Sequence, residues 1–202
     1  MAEGFIFFAA VLAQGFLCAK LLPRKYNYME KGILVGAAEI AEIAVAANLL
    51  AVSGTFSLYA LSAVLFVSAG ICLWIFCKRE KVQEVSGKMS WWDVAALALL
   101  LISFCLCFFF PTKYMPAGRD PGVYLINGVH IAKTGGITYE SNAYLEEHYE
   151  EVKDVLKLDA PGFYSGYEYG ISKEPGSVVT QFLHMFPSML AVGYRLGGLE
   201  GL

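Results

Sequence analysis

Asp120 stands where a carboxylate could do proton chemistry. Arg119 precedes it, and Tyr124 and Asn127 follow at the spacing of one helix face. A carboxylate in that setting can act as general base on a hydroxyl, with Arg119 as a neighbouring cation and Tyr124 and Asn127 as hydrogen-bonding groups for a bound substrate. The same residues carry a plainer meaning. Asp followed by Pro121 is what many helices use to begin, with the acid as cap and the proline at the first helical position. Both readings stay open on spacing alone.

Four other groups invite chemistry. His184 lies three residues before Pro187 in an apolar stretch, where a polar side chain faces a bundle interior, a wet cavity or the headgroup interface. Glu146, Glu147, Glu150 and Glu151 with His148 could be offered as a metal site. They read better as a solvated helix face, with acids in its first half and Lys153 and Lys157 in its second. Tyr139, Tyr144, Tyr149, Tyr164, Tyr167 and Tyr169, with Phe163, could stack on sugar rings, but for most of them an interfacial aromatic belt is the better account. Glu39 and Glu42 sit three apart inside an apolar run. Carboxylates there must face protein, pair or be protonated, and Gln14 is one partner within reach.

The elements that must position these residues are membrane helices. Of 202 residues 57% are apolar and 16% charged, against roughly a quarter charged in a soluble domain, and the mean hydropathy is +0.53. That balance excludes a disordered chain, a nucleic-acid binder and an ordinary soluble enzyme. About 20 mainly apolar residues cross a bilayer, and five segments qualify: 4–22, 33–53, 56–77, 91–110 and 179–197. The first lacks a basic start and a convincing cleavage site, so it reads as an uncleaved span. Lys20, Arg24, Lys25 and Lys31 fill one loop, and Lys78, Arg79, Lys81 and Lys88 another, which makes both cytoplasmic. The N-terminus, the turn at Ser53-Gly54-Thr55 and the segment 111–178 are then external, in the plasma membrane of a cell. That last segment has six Lys/Arg and ten Asp/Glu, the opposite bias. Ser90 is placed to cap the fourth span, with Asp93 at its positive end and Trp91 and Trp92 at headgroup level. Cys18, Cys72, Cys77, Cys105 and Cys107 all lie in apolar runs without metal-site spacing, as small buried side chains do.

A segment as long as 111–178 is usually functional. Its pattern predicts a short helix over about 121–134 closed by Gly135-Gly136, and a second over about 142–158. The stretch 161–180 follows as a hairpin or ordered loop. Amphipathic helices lying at the headgroups would roof a cavity. The fold expected is an all-α polytopic membrane protein of about five transmembrane helices. Its external loop domain of amphipathic helices, with room for a small hairpin, follows the fourth span.

Two stretches then carry a family resemblance. Gly118-Arg119-Asp120-Pro121-Gly122-Val123-Tyr124 and His130-Ile131-Ala132-Lys133-Thr134-Gly135-Gly136 resemble the first external loop of GT-C superfamily glycosyltransferases, among them protein O-mannosyltransferases and aminoarabinose lipid A transferases. Pro161-Gly162-Phe163-Tyr164, Gln181-Phe182-Leu183-His184-Met185-Phe186-Pro187 and Tyr194-Arg195-Leu196-Gly197-Gly198-Leu199 continue the likeness. It covers 91–202 as the start of a GT-C-like core, leaving 1–90 as three N-terminal spans with basic cytoplasmic loops. The resemblance implies transfer of a sugar from a polyprenyl-phosphate donor to a lipid, glycan or protein acceptor at the external face. Asp120 maps onto the family's first-loop acid, with Arg119, Tyr124, Asn127 and His184 around the substrate. Many relatives carry two adjacent acids where this chain has Asp120-Pro121. No cofactor is required by the resemblance, although a divalent cation has a place in such enzymes. The sequence closes where a sixth span would begin, as an N-terminal part of a longer enzyme would. A second class fits the same residues: a non-catalytic membrane protein, an assembly subunit or transporter fragment with an external cap, for which Glu39 and Glu42 speak.

Overall fold

The computed structural model describes residues 2–23, 26–78, 90–109, 120–139, 147–148, 150–151, 163–165, 177–180 and 184–201. Helices α1 (Ala2–Leu21), α2 (Tyr28–Val52), α3 (Leu58–Lys78) and α4 (Trp91–Phe109) come first. They are followed by α5 (Asp120–Thr134), strands β1 (Thr138–Tyr139), β2 (Phe163–Ser165) and β3 (Val178–Thr180), helix α6 (Met185–Gly197) and a 3-10 turn, Gly198–Gly201. Three helices, α1, α2 and α3, are long and apolar enough to cross a membrane, and α4 is apolar over Trp91–Ser103. The chain divides into two compact units, Met1–Ile43 with Ser62–Pro116, and Ala44–Leu61 with Ala117–Leu202.

In the first unit the helices face outward with their large apolar side chains. Phe5, Leu12 and Phe16 of α1 are exposed, and only Phe7, Ala10 and Gln14 of that helix are buried. That is the inverse of a water-soluble helix and suits lipid. The helix starts follow capping chemistry. Asn27 Oδ1 accepts the Glu30 N–H at 2.9 Å while Glu30 Oε2 accepts the Asn27 N–H at 2.7 Å, a reciprocal box that starts α2 ahead of the expected residue 33. Ser90 and Asp93 do the same for α4, at 3.3 and 2.6 Å. Asn27 Nδ2 also donates to Asp93 Oδ2 at 3.0 Å, so the two basic loops leading into these helices end side by side. Cys77 and Cys105 are exposed, contrary to the expectation of burial, because they sit on the outer faces of their helices.

In the second unit the α2–α3 turn carries the end of α5. Gly54 takes φ 71°, and the Thr55 N–H returns to Leu50 O at 2.8 Å. The Phe56 N–H donates to Gly135 O at 2.9 Å. Gly135 (φ 83°) terminates α5, its N–H bonding Ile131 O at 2.8 Å, as a glycine after a helix commonly does. A Cβ at Gly135 would lie 3.1 Å from Phe56 O, and one at Gly136 would lie 3.4 Å from Gly54 Cα. The turn at 53–55 and the Gly135-Gly136 corner thus meet.

Within 161–180, where a hairpin or an ordered loop is expected, β2 pairs antiparallel with β3, Tyr164 opposite Val179. A third strand that the pattern did not suggest, β1, pairs on the other edge of β3, Tyr139 opposite Val178, giving the order β1-β3-β2. The fifth span expected at 179–197 needs correction. Val178–Thr180 is strand, as its β-branched residues favour, and α6 has 13 residues. At about 1.5 Å per residue it is about 20 Å long, short of a bilayer core. The helix expected at 142–158 lies mostly outside the described residues.

Candidate functional site

The site is built on α5 and α6, the closest helix pair of the second unit. Tyr124 meets Phe186 edge-on, with ring centroids 5.6 Å apart at 85°. One turn further along α5, a Cβ at Gly128 would lie 2.7 Å from Leu190 Cβ and 3.1 Å from Pro187 O. Glycine is therefore what lets the helices touch. Pro187, Ser188, Ala191 and Val192 are the buried face of α6. Contacts advance in the same direction along both helices, so α5 and α6 run parallel and begin at the same end. Asp120 is the first residue of α5, and His184 is the residue ahead of α6.

That arrangement sorts the residues singled out from sequence. Asp120 and His184 belong to one end of the helix pair, and Tyr124 packs against Phe186 beside them. His184 is half-buried and lies ahead of α6, where it had been expected a turn inside a span. Its carbonyl accepts both the Ser188 N–H at 2.9 Å and the Ser188 hydroxyl at 2.7 Å. Its imidazole makes no cap to the helix, and Pro187 has no N–H to satisfy in that first turn. Arg119, Lys113 and the side chain of Asp120 lie outside the described residues.

Asn127 goes the other way. It is 3% exposed and ties α5 to the sheet, with Nδ2 donating to Thr180 Oγ1 at 3.1 Å and Oδ1 accepting the Tyr139 hydroxyl at 2.5 Å. Tyr139 in turn stacks on His130, ring centroids 3.9 Å apart and 13° from parallel. His130 Nε2 lies 2.9 Å from Thr138 O, so the tautomer that donates there holds the imidazole against β1. Burial pushes the Tyr139 phenol above its ordinary range, which keeps it a neutral donor to Asn127. The aromatic belt proposed for most of the tyrosines does not describe Tyr139; Tyr144, Tyr149, Tyr167 and Tyr169 lie outside the described residues. Sequence reasoning missed Tyr139, Thr180 and His130 as a set. Their one sequence signal is Asn127 and His130 three apart on a helix that ends just before a Thr-Tyr pair.

Among the described residues no group of three or more His, Cys, Asp or Glu is arranged to hold a metal ion. On the acidic stretch His148 Nδ1 pairs with Glu151 Oε2 at 3.3 Å, both on the surface side. No family model, curated protein or solved structure matches this chain.

Proposed function

We propose that this chain is part of a membrane glycosyltransferase of the GT-C type, acting on a polyprenyl-phosphate-linked sugar at the external face of the plasma membrane. The observation that supports this reading is the parallel pair α5 and α6. It brings the Asp120 helix start and His184 to one end, held by the Gly128 contact. In the proposed reaction the Asp120 carboxylate takes the proton of the acceptor hydroxyl, or of an amine. The acceptor oxygen or nitrogen forms its bond to the anomeric carbon as the bond from that carbon to the phosphate oxygen breaks. The configuration inverts, and polyprenyl phosphate leaves with the electron pair. Arg119 offsets charge on the departing phosphate, and Tyr124 and His184 line the acceptor side. A donor held at headgroup level has to be kept from water, or hydrolysis competes.

Two features support a membrane setting for the apolar helices. Three are of membrane length, and the bond from Asn27 to Asp93 joins the starts of α2 and α4 as an alternating topology requires. The second reading, a non-catalytic membrane assembly protein, draws on the Gln14 to Glu42 bond between α1 and α2.

The test is Asp120→Asn in cells that depend on the protein, with glycolipid and cell-wall sugars profiled beside a deletion strain. The deletion removes one sugar modification. The variant is expected to reproduce that loss at unchanged membrane abundance. Near-normal modification in the variant would remove Asp120 from catalysis, and an unaltered sugar profile in the deletion strain would favour the assembly reading.

A further inference from the structure

The proposed reaction leaves one buried polar cluster unused. It lies in the first unit, where α1, α2 and α3 meet. Gln14 is 2% exposed, and its Nε2 donates to Glu42 Oε2 and to Ser68 Oγ. Glu39 presses its carboxyl against the next residue of α1, so that a Cβ at Gly15 would lie 2.7 Å from Glu39 Oε1. Two carboxyl groups from successive turns of α2 thus face one turn of α1. Gln14 Oε1 and Glu39 Oε1 are both buried and have no hydrogen-bond partner among the described residues.

The cluster is rich in acceptors and short of donors. Both Gln14 N–H groups are committed, to Glu42 and to Ser68, and a carboxylate offers no donor at all. Two carboxylates one turn apart also repel, and within a bilayer neither is solvated. One proton addresses all of this. It converts a carboxylate oxygen into a donor, supplies a hydrogen to an orphaned acceptor and halves the charge. A divalent cation would do less well, because it takes about six oxygens, and two of the six side-chain oxygens in the cluster, Glu42 Oε2 and Ser68 Oγ, already accept the Gln14 N–H groups. Among the described residues the other titratable groups at this level are Cys18 and Cys72, one turn away on α1 and α3, with Sγ atoms 3.6 Å apart.

We infer that Glu39 and Glu42 hold one exchangeable proton between them inside the α1–α2–α3 bundle, with Gln14 and Ser68 as its hydrogen-bonding frame. The inference needs the helices to lie in a bilayer and is independent of the transferase chemistry. It makes the cluster a proton-binding site, loaded from the aqueous phase.

The experiment uses the full chain in phosphatidylcholine vesicles and a hydrophobic carbodiimide, which modifies protonated carboxyls in apolar surroundings. Modification is mapped by peptide mass and followed as pH rises, with and without sodium chloride. Expected is labelling of Glu39 or Glu42 at neutral pH, its loss in alkali, indifference to sodium at fixed pH, and its absence from E39Q/E42Q. Infrared titration of the wild-type protein needs no variant: a protonated-carboxyl carbonyl band should disappear over the same pH range. Absence of both the label and the band at every pH overturns the inference. So does protection by sodium at fixed pH, which would make this a cation site.

Discussion

The two units solve opposite problems with polar side chains. In the first, α1 turns Phe5, Leu12 and Phe16 outward and buries Gln14, so the polar residue is the inside of the bundle. Its bonds to Glu42 and Ser68 join three helices that have little else to choose between them, since lipid is as apolar as their own side chains. In the second, Asn127 is also buried and also bonded twice, but to a sheet strand and a tyrosine, within a core of Ile131, Val179, Ala191 and Val192. There the hydrogen bonds fix an orientation that shape already favours. Close contact at Gly128 supplies much of the packing. One unit depends on polar exceptions in an apolar run, the other on the absence of a side chain at one helical position.

The largest expected effect tests that second dependence. Gly128→Val places a branched side chain where even a Cβ would be 2.7 Å from Leu190 and 3.1 Å from a backbone carbonyl. The backbone cannot yield as a flexible side chain would, so destabilisation of about 3 kcal/mol is expected, the upper range for overpacking. Hydrogen exchange should speed up in α5 and α6 and stay slow in α1. On the proposed function, sugar modification should fall as well, because the starts of α5 and α6 would part. Unchanged exchange in both helices would mean that the Gly128 contact does not hold them together.

A smaller effect is expected from Tyr139→Phe, which keeps the ring on His130 and deletes only the hydroxyl. Asn127 Oδ1 would then be buried without that donor, at a cost of about 1–3 kcal/mol in thermal unfolding. The pH dependence has a definite sign. The folded phenol ionises later than the unfolded one, so its share of stability is complete below pH about 10 and is lost as pH rises from there through the folded value. The variant should lack that alkaline loss, as read by melting temperature against pH.

These cases show why the sequence was uneven as a guide. Gln14, Glu39 and Glu42 are visible as exceptions, since each interrupts an apolar run, and Gln14 was expected as one partner of the two carboxylates; the structure gives it Glu42. The capping residues Ser90, Asp93 and Gly135 are equally visible, because their chemistry is local. Strand β1 was not, since two residues carry no periodicity and its partner β3 is distant in the chain. Nor was the length of α6: the β-branched run Val178-Val179-Thr180 favours a strand but is also apolar enough to extend a span, and its pairing with β1 and β2 decides for the strand. For the site, the helix start at Asp120 was legible from Asp-Pro. The parallel approach to α6 was not, because a glycine at 128 announces a contact without naming its partner.

The smallest effect separates two states of the first unit. Gln14→Leu removes the bonds to Glu42 and Ser68 while keeping an apolar side chain of similar length on α1. Hydrogen bonds between membrane helices contribute about 0.6 kcal/mol on average and up to about 1.7. If Glu42 is part of a pair that shares one proton, the loss should stay in that range, because the proton can redistribute to whichever oxygen lost its partner. If Glu42 is a buried anion instead, removing its donor strands a charge, and the cost rises to about 3–5 kcal/mol. Unfolding in mixed micelles at neutral pH reads the difference directly. The larger value would set the first unit beside the second, as a core in which each polar group needs its particular partner.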